Sequence, residues 1–194
     1  MRGHVFGLLS LLAVSSSVLA ASRARRDFTE SSEVALNDHI NVEYSASYQY
    51  QALWAYFNRD DVALLNIAEF FKKMSKEEAG HAREFQEYMN LRGGQVVLQD
   101  VQAPHHDFSA TRDKSDALQA FERALGLEKS VYQNLLQLHA LAGQNNDPQF
   151  QDHIEGYLEE QVKSVKEFAN WVAQLNRVGP SGQAVFIFDK EFKE

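Results

Sequence analysis

The sequence predicts an all-α chain, a four-helix bundle with one long crossover and a short fifth C-terminal helix. Three observations predict it. Apolar and aromatic residues recur at helical spacing in four long segments. The only prolines, Pro104, Pro148 and Pro180, fall between those segments. The connections between segments are short, long and short, which places the crossover between the second and third helices. With 194 residues and a 44% hydrophobic fraction, the chain can bury one domain-sized core.

Ser32 is the expected N-cap of the first helix, with Glu33 in its first turn. Val34, Ile40, Tyr44, Tyr48, Ala52, Ala55 and Tyr56 then follow at helical spacing, up to Asn58–Asp61. A second pattern includes Leu65, Ala68, Phe71, Met74, Phe85 and Met89 and stops at Gly93–Gly94. From Gln95 to about Asp113 the periodicity is lost, and the run reads as an extended crossing segment. The third helix is expected over Ser115 to Leu141. The fourth opens at Asp147-Pro148, an N-cap and N1 pair, and runs to about Arg177. Gly179-Pro180-Ser181-Gly182 then breaks the chain before a short apolar segment, AVFIFDKEF. At 1.5 Å per residue, four helices of about 27 residues are about 40 Å long.

The organisation that follows is a leading segment over 1–20, a flexible polar leader over 21–31, a bundle over 32–178 and a C-terminal helix within 179–194. Residues 1–20 carry one basic residue, an apolar run around Val5–Val18 and a V-L-A end. That is the pattern of a cleavable signal peptide, and it predicts a secreted protein or one in the secretory-pathway lumen. An amphipathic organelle-targeting segment is the rival. The apolar run is shorter than the roughly 20 residues that span a bilayer, so no stable membrane association is expected. The net charge of −8 argues against nucleic-acid binding and suits the attraction of cations. There is no cysteine, hence no disulfide framework and no thiolate metal site.

The stretch KKMSKEEAGHAREF poses the functional question. Glu78 and His81 are three apart, on one face of a helix, a spacing that suits a metal. Alone, the motif is ordinary on solvated helices, and Gly80 costs about 1 kcal/mol there relative to alanine. The other helices supply partners. INVEYSASYQY sets Glu43 and Tyr50 two turns apart on an apolar face. LGLEKSVYQNLL sets Glu128 among Leu125, Leu127, Val131 and Leu135, and LEEQVKSVKEF sets Gln161 beside Leu158 and Val162. Each helix thus offers one or two oxygen or nitrogen donors toward the bundle axis. Carboxylates sharing a core need compensating positive charge. Divalent iron would supply it, whereas zinc more often takes cysteine or several histidines.

These segments, with YFNRDDVAL, NLRGGQVVLQD, NDPQFQDHIEGYLEEQVKSVKE and FDKEF, resemble ferritin in order and spacing over roughly Ser32 to Phe192. The resemblance is to the catalytic, heavy-chain-like type and implies a ferritin-like four-helix bundle. It implies a ferroxidase that oxidises Fe(II) with O2 at a di-iron site and stores ferric mineral in a shell of 24 subunits, of one type or mixed. Glu78 would bridge the two iron ions, Glu43 and His81 would complete one, and Glu128 would hold the other. Gln161 would orient bound water or oxygen, and Tyr50 would bond the edge of the site. Asp152 and Glu155 would line an ion channel, with His139 and His153 near it, and Glu77 would nucleate mineral facing the cavity. Three departures stand out. Gly80 and Arg83 replace acids often found in active members. The Pro104–Ala117 connection is longer than usual. The Glu155–Gln161 spacing is one residue shorter, about 100° of helix rotation. Rival readings are another helical di-iron oxidase or peroxidase, a non-catalytic storage or carrier subunit, and a DNA-protecting mini-ferritin.

Overall fold

The computed structural model describes residues 22–192, so the leading segment over 1–20 lies outside the described residues. Five helices follow in order: α1 (Glu30–Phe57), α2 (Leu65–Leu91), α3 (Asp116–Gln144), α4 (Pro148–Val178) and α5 (Gly182–Glu191). α1 lies along α2, α3 along α4, and α1 also along α3; α5 packs across α2 and α4. The described residues contain no strand.

The helix ends follow capping chemistry. Ser115 Oγ accepts from Leu118 N, and the Asp147 side chain accepts from Phe150 N ahead of Pro148. α1 begins three residues earlier than expected, because Thr29 rather than Ser32 supplies the capping oxygen. The polar leader is also more than a tether. Phe28 is buried and meets Phe150 and Tyr88 edge-on. Arg25 Nε donates to the Gly93 carbonyl at 3.3 Å. Gly93 itself has φ +75°, and a Cβ there would lie 2.6 Å from Arg25 N, so conformation and space both require glycine. α2 has no side-chain cap of its own. Asp189 of α5 supplies one from across the bundle, accepting from Asn66 N and Ile67 N at 3.0 Å each. A short terminal helix therefore satisfies the orphan donors of a long one.

Two carboxamides of α1 each bond the crossover backbone twice. Asn37 donates to Gln95 O at 3.0 Å and accepts from Val97 N at 2.8 Å. Gln49 donates to His105 O at 2.9 Å and accepts from His105 N at 3.1 Å. Phe108 is buried against Tyr56 and anchors the far end.

Apolar residues form two separate cores. One holds Tyr50, Phe57, Phe71, Phe121, Phe168 and Trp171 and runs up to α5. The other holds Phe28, Leu36, Phe85, Leu135, Phe150 and Ile154. Between them, every long helix contributes polar side chains at mid-length: Glu43, Glu78, Glu128 and Gln161 are all buried. The periodic stripe expected on α1 is only partly the core face. Val34, Tyr48 and Ala55 are exposed, while Leu36, Ala46 and Leu53 turn inward. Helix one is apolar on two faces, and one of them meets the other helices. Val162, read from the sequence as a neighbour of Gln161 on the inner face, is likewise exposed.

Candidate metal centre

The polar layer arises from helical spacing. Glu43 sits between Ile40 and Ala46 on the inner face of α1, and Tyr50 lies two turns on. Glu78 and His81 share a face of α2, with His81 Nδ1 3.3 Å from Glu78 Oε2. Glu43, Glu78 and His81 each offer one ligand atom, and the three lie within 4.8 Å of one another. Exposure is 1% for Glu43, 4% for Glu78 and 1% for Glu128. Water therefore cannot carry their charge.

Glu128, on α3, is met by three donors. Tyr50 OH donates to Oε1, Gln161 Nε2 to Oε2 and Ser164 Oγ to Oε2 at 2.7 Å. Gln161 Nε2 also reaches the Glu128 carbonyl oxygen at 3.1 Å, tying α4 to α3 at this level. Glu43 is less well supplied. His39 Nε2 stands 2.8 Å from Oε1, whereas Oε2 is buried with no donor.

Electrostatics follow this arrangement. Burial raises the Glu78 carboxyl well above the ordinary glutamate value, and the charges of Glu43 and Glu128 raise it further. Burial also opposes ionisation of Glu43, but the hydrogen bond and charge of His39 outweigh it and bring that carboxyl below its ordinary value. Glu128 is raised by burial, with the bonds from Tyr50, Ser164 and Gln161 acting against the rise. Tyr50 is pushed well up by burial and by Glu128, so its hydroxyl stays a donor.

The donor set is carboxylate oxygen and imidazole nitrogen. The imidazoles beside Glu43 carry charge only when protonated, so a buried carboxylate with one unpartnered oxygen stands within reach of two further ligand groups. A hard or borderline divalent cation fits that deficit.

The structure thus brings Glu43, Tyr50, Glu78, His81, Glu128 and Gln161 into one layer. Glu77 is half-buried beside it. With His81 and Glu160 it forms a second group whose ligand atoms lie within 4.8 Å. Burial raises the Glu77 carboxyl, and the Glu160 charge adds to the rise. Gly80 has open space where a side chain would stand, and Arg83 is exposed. Asp152 and Glu155 are not in the layer. Both are exposed, and Glu155 Oε1 lies 3.2 Å from His139 Nε2. His153 stacks on Tyr88 at 3.8 Å between centroids. The short Glu155–Gln161 spacing is absorbed by an uninterrupted α4, in which Gln161 turns inward and Glu155 outward.

Sequence reasoning missed three neighbours: His39, Ser164 and Glu160. The signal for two of them was present. His39 is four residues before Glu43, and Ser164 three after Gln161, so each shares a face with its neighbour in the layer.

Comparison with known proteins agrees with this geometry. Residues 33–178 match a ferritin-like domain. Ferritin-2, chloroplastic, of Glycine max is 49% identical over 169 residues, covering 87% of this chain and 65% of that protein. Ferritin-1, chloroplastic, of Brassica napus is 47% identical over 171 residues, covering 88% and 66%. Ferritin-2, chloroplastic, of Vigna unguiculata is 49% identical over 175 residues, covering 90% and 69%. The chain thus spans just under two thirds of the length of the first two relatives. The names of these relatives overturn the expected secretion, since all three are chloroplastic proteins. A short apolar run with a few basic residues is ambiguous between the two kinds of leading segment. An ordered match over three quarters of the chain, joined to a carboxylate and imidazole layer at the centre of a four-helix bundle, places the chain in the ferritin family, an iron-storage family.

Proposed function

We propose that this chain is a ferroxidase subunit. Its mid-bundle layer would take up two Fe(II), whose two electrons, with two protons, reduce one dioxygen to hydrogen peroxide, and release two Fe(III) for storage as ferric mineral. The observation that carries this reading is the Glu43 carboxylate, buried with one donorless oxygen and offering a ligand atom within 4.8 Å of those of Glu78 and His81. A subunit that only stored mineral would not need to sustain that electrostatic cost.

Glu78, whose carboxyl feels the charges of both Glu43 and Glu128, would be shared by two irons. Glu43 and His81 would hold one iron and Glu128 the other. Gln161 and Tyr50 orient the Glu128 carboxylate and the water or oxygen beside it. The protein's contribution is fixed geometry and coordination positions left free for oxygen. Glu77, with Glu160, receives iron leaving His81 toward the mineral. Asp152 and Glu155 form the acidic lining by which cations reach the interior of a shell of 24 subunits, homomeric or mixed.

The relatives' names support plastid residence. The first 26 residues contain no Asp or Glu but four Arg and five Ser, a composition that plastid targeting uses. A fusion of this segment to a fluorescent protein should enter plastids. No helix among the described residues is long and apolar enough to cross a membrane.

The test is aerobic Fe(II) oxidation by the purified protein against Glu78→Ala, His81→Ala. The double variant should lose at least about a hundredfold in rate, while light scattering shows an unchanged assembly. Oxidation at the parent's rate refutes the site. A particle of 22.0 kDa, the mass of one chain, refutes the shell.

A further inference from the structure

The layer has a fully buried member that donates nothing to iron in the reading above. His39 has 0% exposure and sits one turn before Glu43 on α1. Its ring is held from three sides. Nε2 stands 2.8 Å from Glu43 Oε1. Nδ1 stands 2.6 Å from Asn134 Oδ1, on α3. Phe85 of α2 meets the ring edge-on at 4.6 Å between centroids. A carboxamide has an acceptor edge and a donor edge, so Asn134 can hold Nδ1 in either tautomer of the ring. The ring plane is therefore fixed by the protein before any ion arrives.

We infer that Asn134 and His39 are a positioning pair for Glu43. A carboxylate on two rotatable carbons can turn either oxygen inward. Here one oxygen lies in ion-pair contact with an immobile ring, 2.8 Å from an Nε2 that has no aligned hydrogen-bond partner, and the other is left without a donor. That contact decides which oxygen serves as ligand and keeps it in place, as an outer hydrogen bond orients a metal ligand elsewhere. Three helices share this duty, since His39, Asn134 and Phe85 come from α1, α3 and α2. The inference rests on the reading of the layer as a metal centre.

Co(II) binding, read without any turnover, separates the two claims. The full-length assembled protein is titrated with Co(II) and followed by its visible absorption, whose intensity reports coordination. His39→Leu should bind the first Co(II) about 10- to 100-fold more weakly, with an altered spectrum. His39→Gln, whose amide can reach Oε1, should recover most of the affinity and the parent spectrum. Asn134→Ala keeps the ring and loses only its outer brace, so it should weaken binding a few-fold while folding normally. Parent-like affinity and spectrum in His39→Leu and Asn134→Ala overturn the positioning role and leave the metal centre standing. A His39→Gln protein as impaired as His39→Leu overturns it too, since the donor would then be irrelevant. A parent protein that takes up no Co(II) overturns both claims.

Discussion

Glu43 and Glu128 are the same residue type, equally buried, in the same layer, and the protein treats them differently. Glu128 receives a hydroxyl from Tyr50, an amide from Gln161 and a second hydroxyl from Ser164. Glu43 has one imidazole and a bare oxygen. Burial alone therefore does not say what a buried carboxylate is for; the count of donors does. The α3–α4 half of the layer is complete in hydrogen bonds without a cation. The α1–α2 half is not, and Glu78 between them carries the consequence in its raised carboxyl. A layer built this way should hold one ion tightly on the α1–α2 side and a second more loosely toward α3.

The largest expected effect follows from that asymmetry. In calorimetric Co(II) titrations, Glu43→Gln should weaken the first ion at least about a hundredfold, which is about 2.7 kcal/mol. Glu128→Gln should leave the first ion within about threefold and remove the second. The reverse order would break the comparison, because the donor-rich carboxylate would then be the principal ligand.

A second test works without metal, in protein stripped by chelator. The Glu78 carboxyl is raised in the fold, so its stabilising contribution is complete below the ordinary value of 4.5 and disappears as pH rises through the raised value. Glu43 is lowered, so its contribution is present above 4.5 and disappears as pH falls through the lowered value. At neutral pH Glu78→Gln should therefore melt above the parent and Glu43→Gln below it. The expected size is about 1–3 kcal/mol each, or about 2–4 °C per kcal/mol at this chain length. The gain of Glu78→Gln should vanish toward pH 4. Shifts of the same sign in thermal scans would mean that the two carboxyls share one environment.

How much of this was legible in the sequence follows from the range of each interaction. The helices were legible because period, caps and breakers are local: Ser115 and the Asp147-Pro148 pair act within a few residues of their helix starts. The cap that Asp189 places on α2 was not, since it comes from 123 residues away. The docking of Phe28 was hidden in the same way, since its neighbours are Tyr88 and Phe150. In the layer, Glu78 and His81 announced themselves by spacing, and Glu43 and Glu128 by sitting on apolar faces. His39 obeyed the same rule toward Glu43, but a histidine on a helix has no distinct meaning until Asn134, 95 residues on, is known to face it. The residence of the protein was hidden for another reason. The composition of residues 1–20 is shared by two targeting routes, and no packing interaction distinguishes them.

The smallest effect belongs to Ser164, and it sharpens the comparison most. Its hydroxyl gives Oε2 of Glu128 a second donor, 2.7 Å away, and so helps that carboxyl ionise against burial. Ser164→Ala removes this help and leaves Tyr50 and Gln161 in place. The Glu128 carboxyl then rises further, and protons compete better with the second ion. One such bond contributes about 0.5–1.5 kcal/mol, so the second Co(II) should bind about three- to tenfold more weakly at pH 6. Less should be lost at pH 8, where the proton competes poorly. The first Co(II) should not change at either pH, because Glu43 takes no donor from α4. If the second ion binds Ser164→Ala as it binds the parent at both pH values, the hydroxyl only fills space. The donor count at Glu128 then stops at two, and the contrast with Glu43 rests on Tyr50 and Gln161 alone.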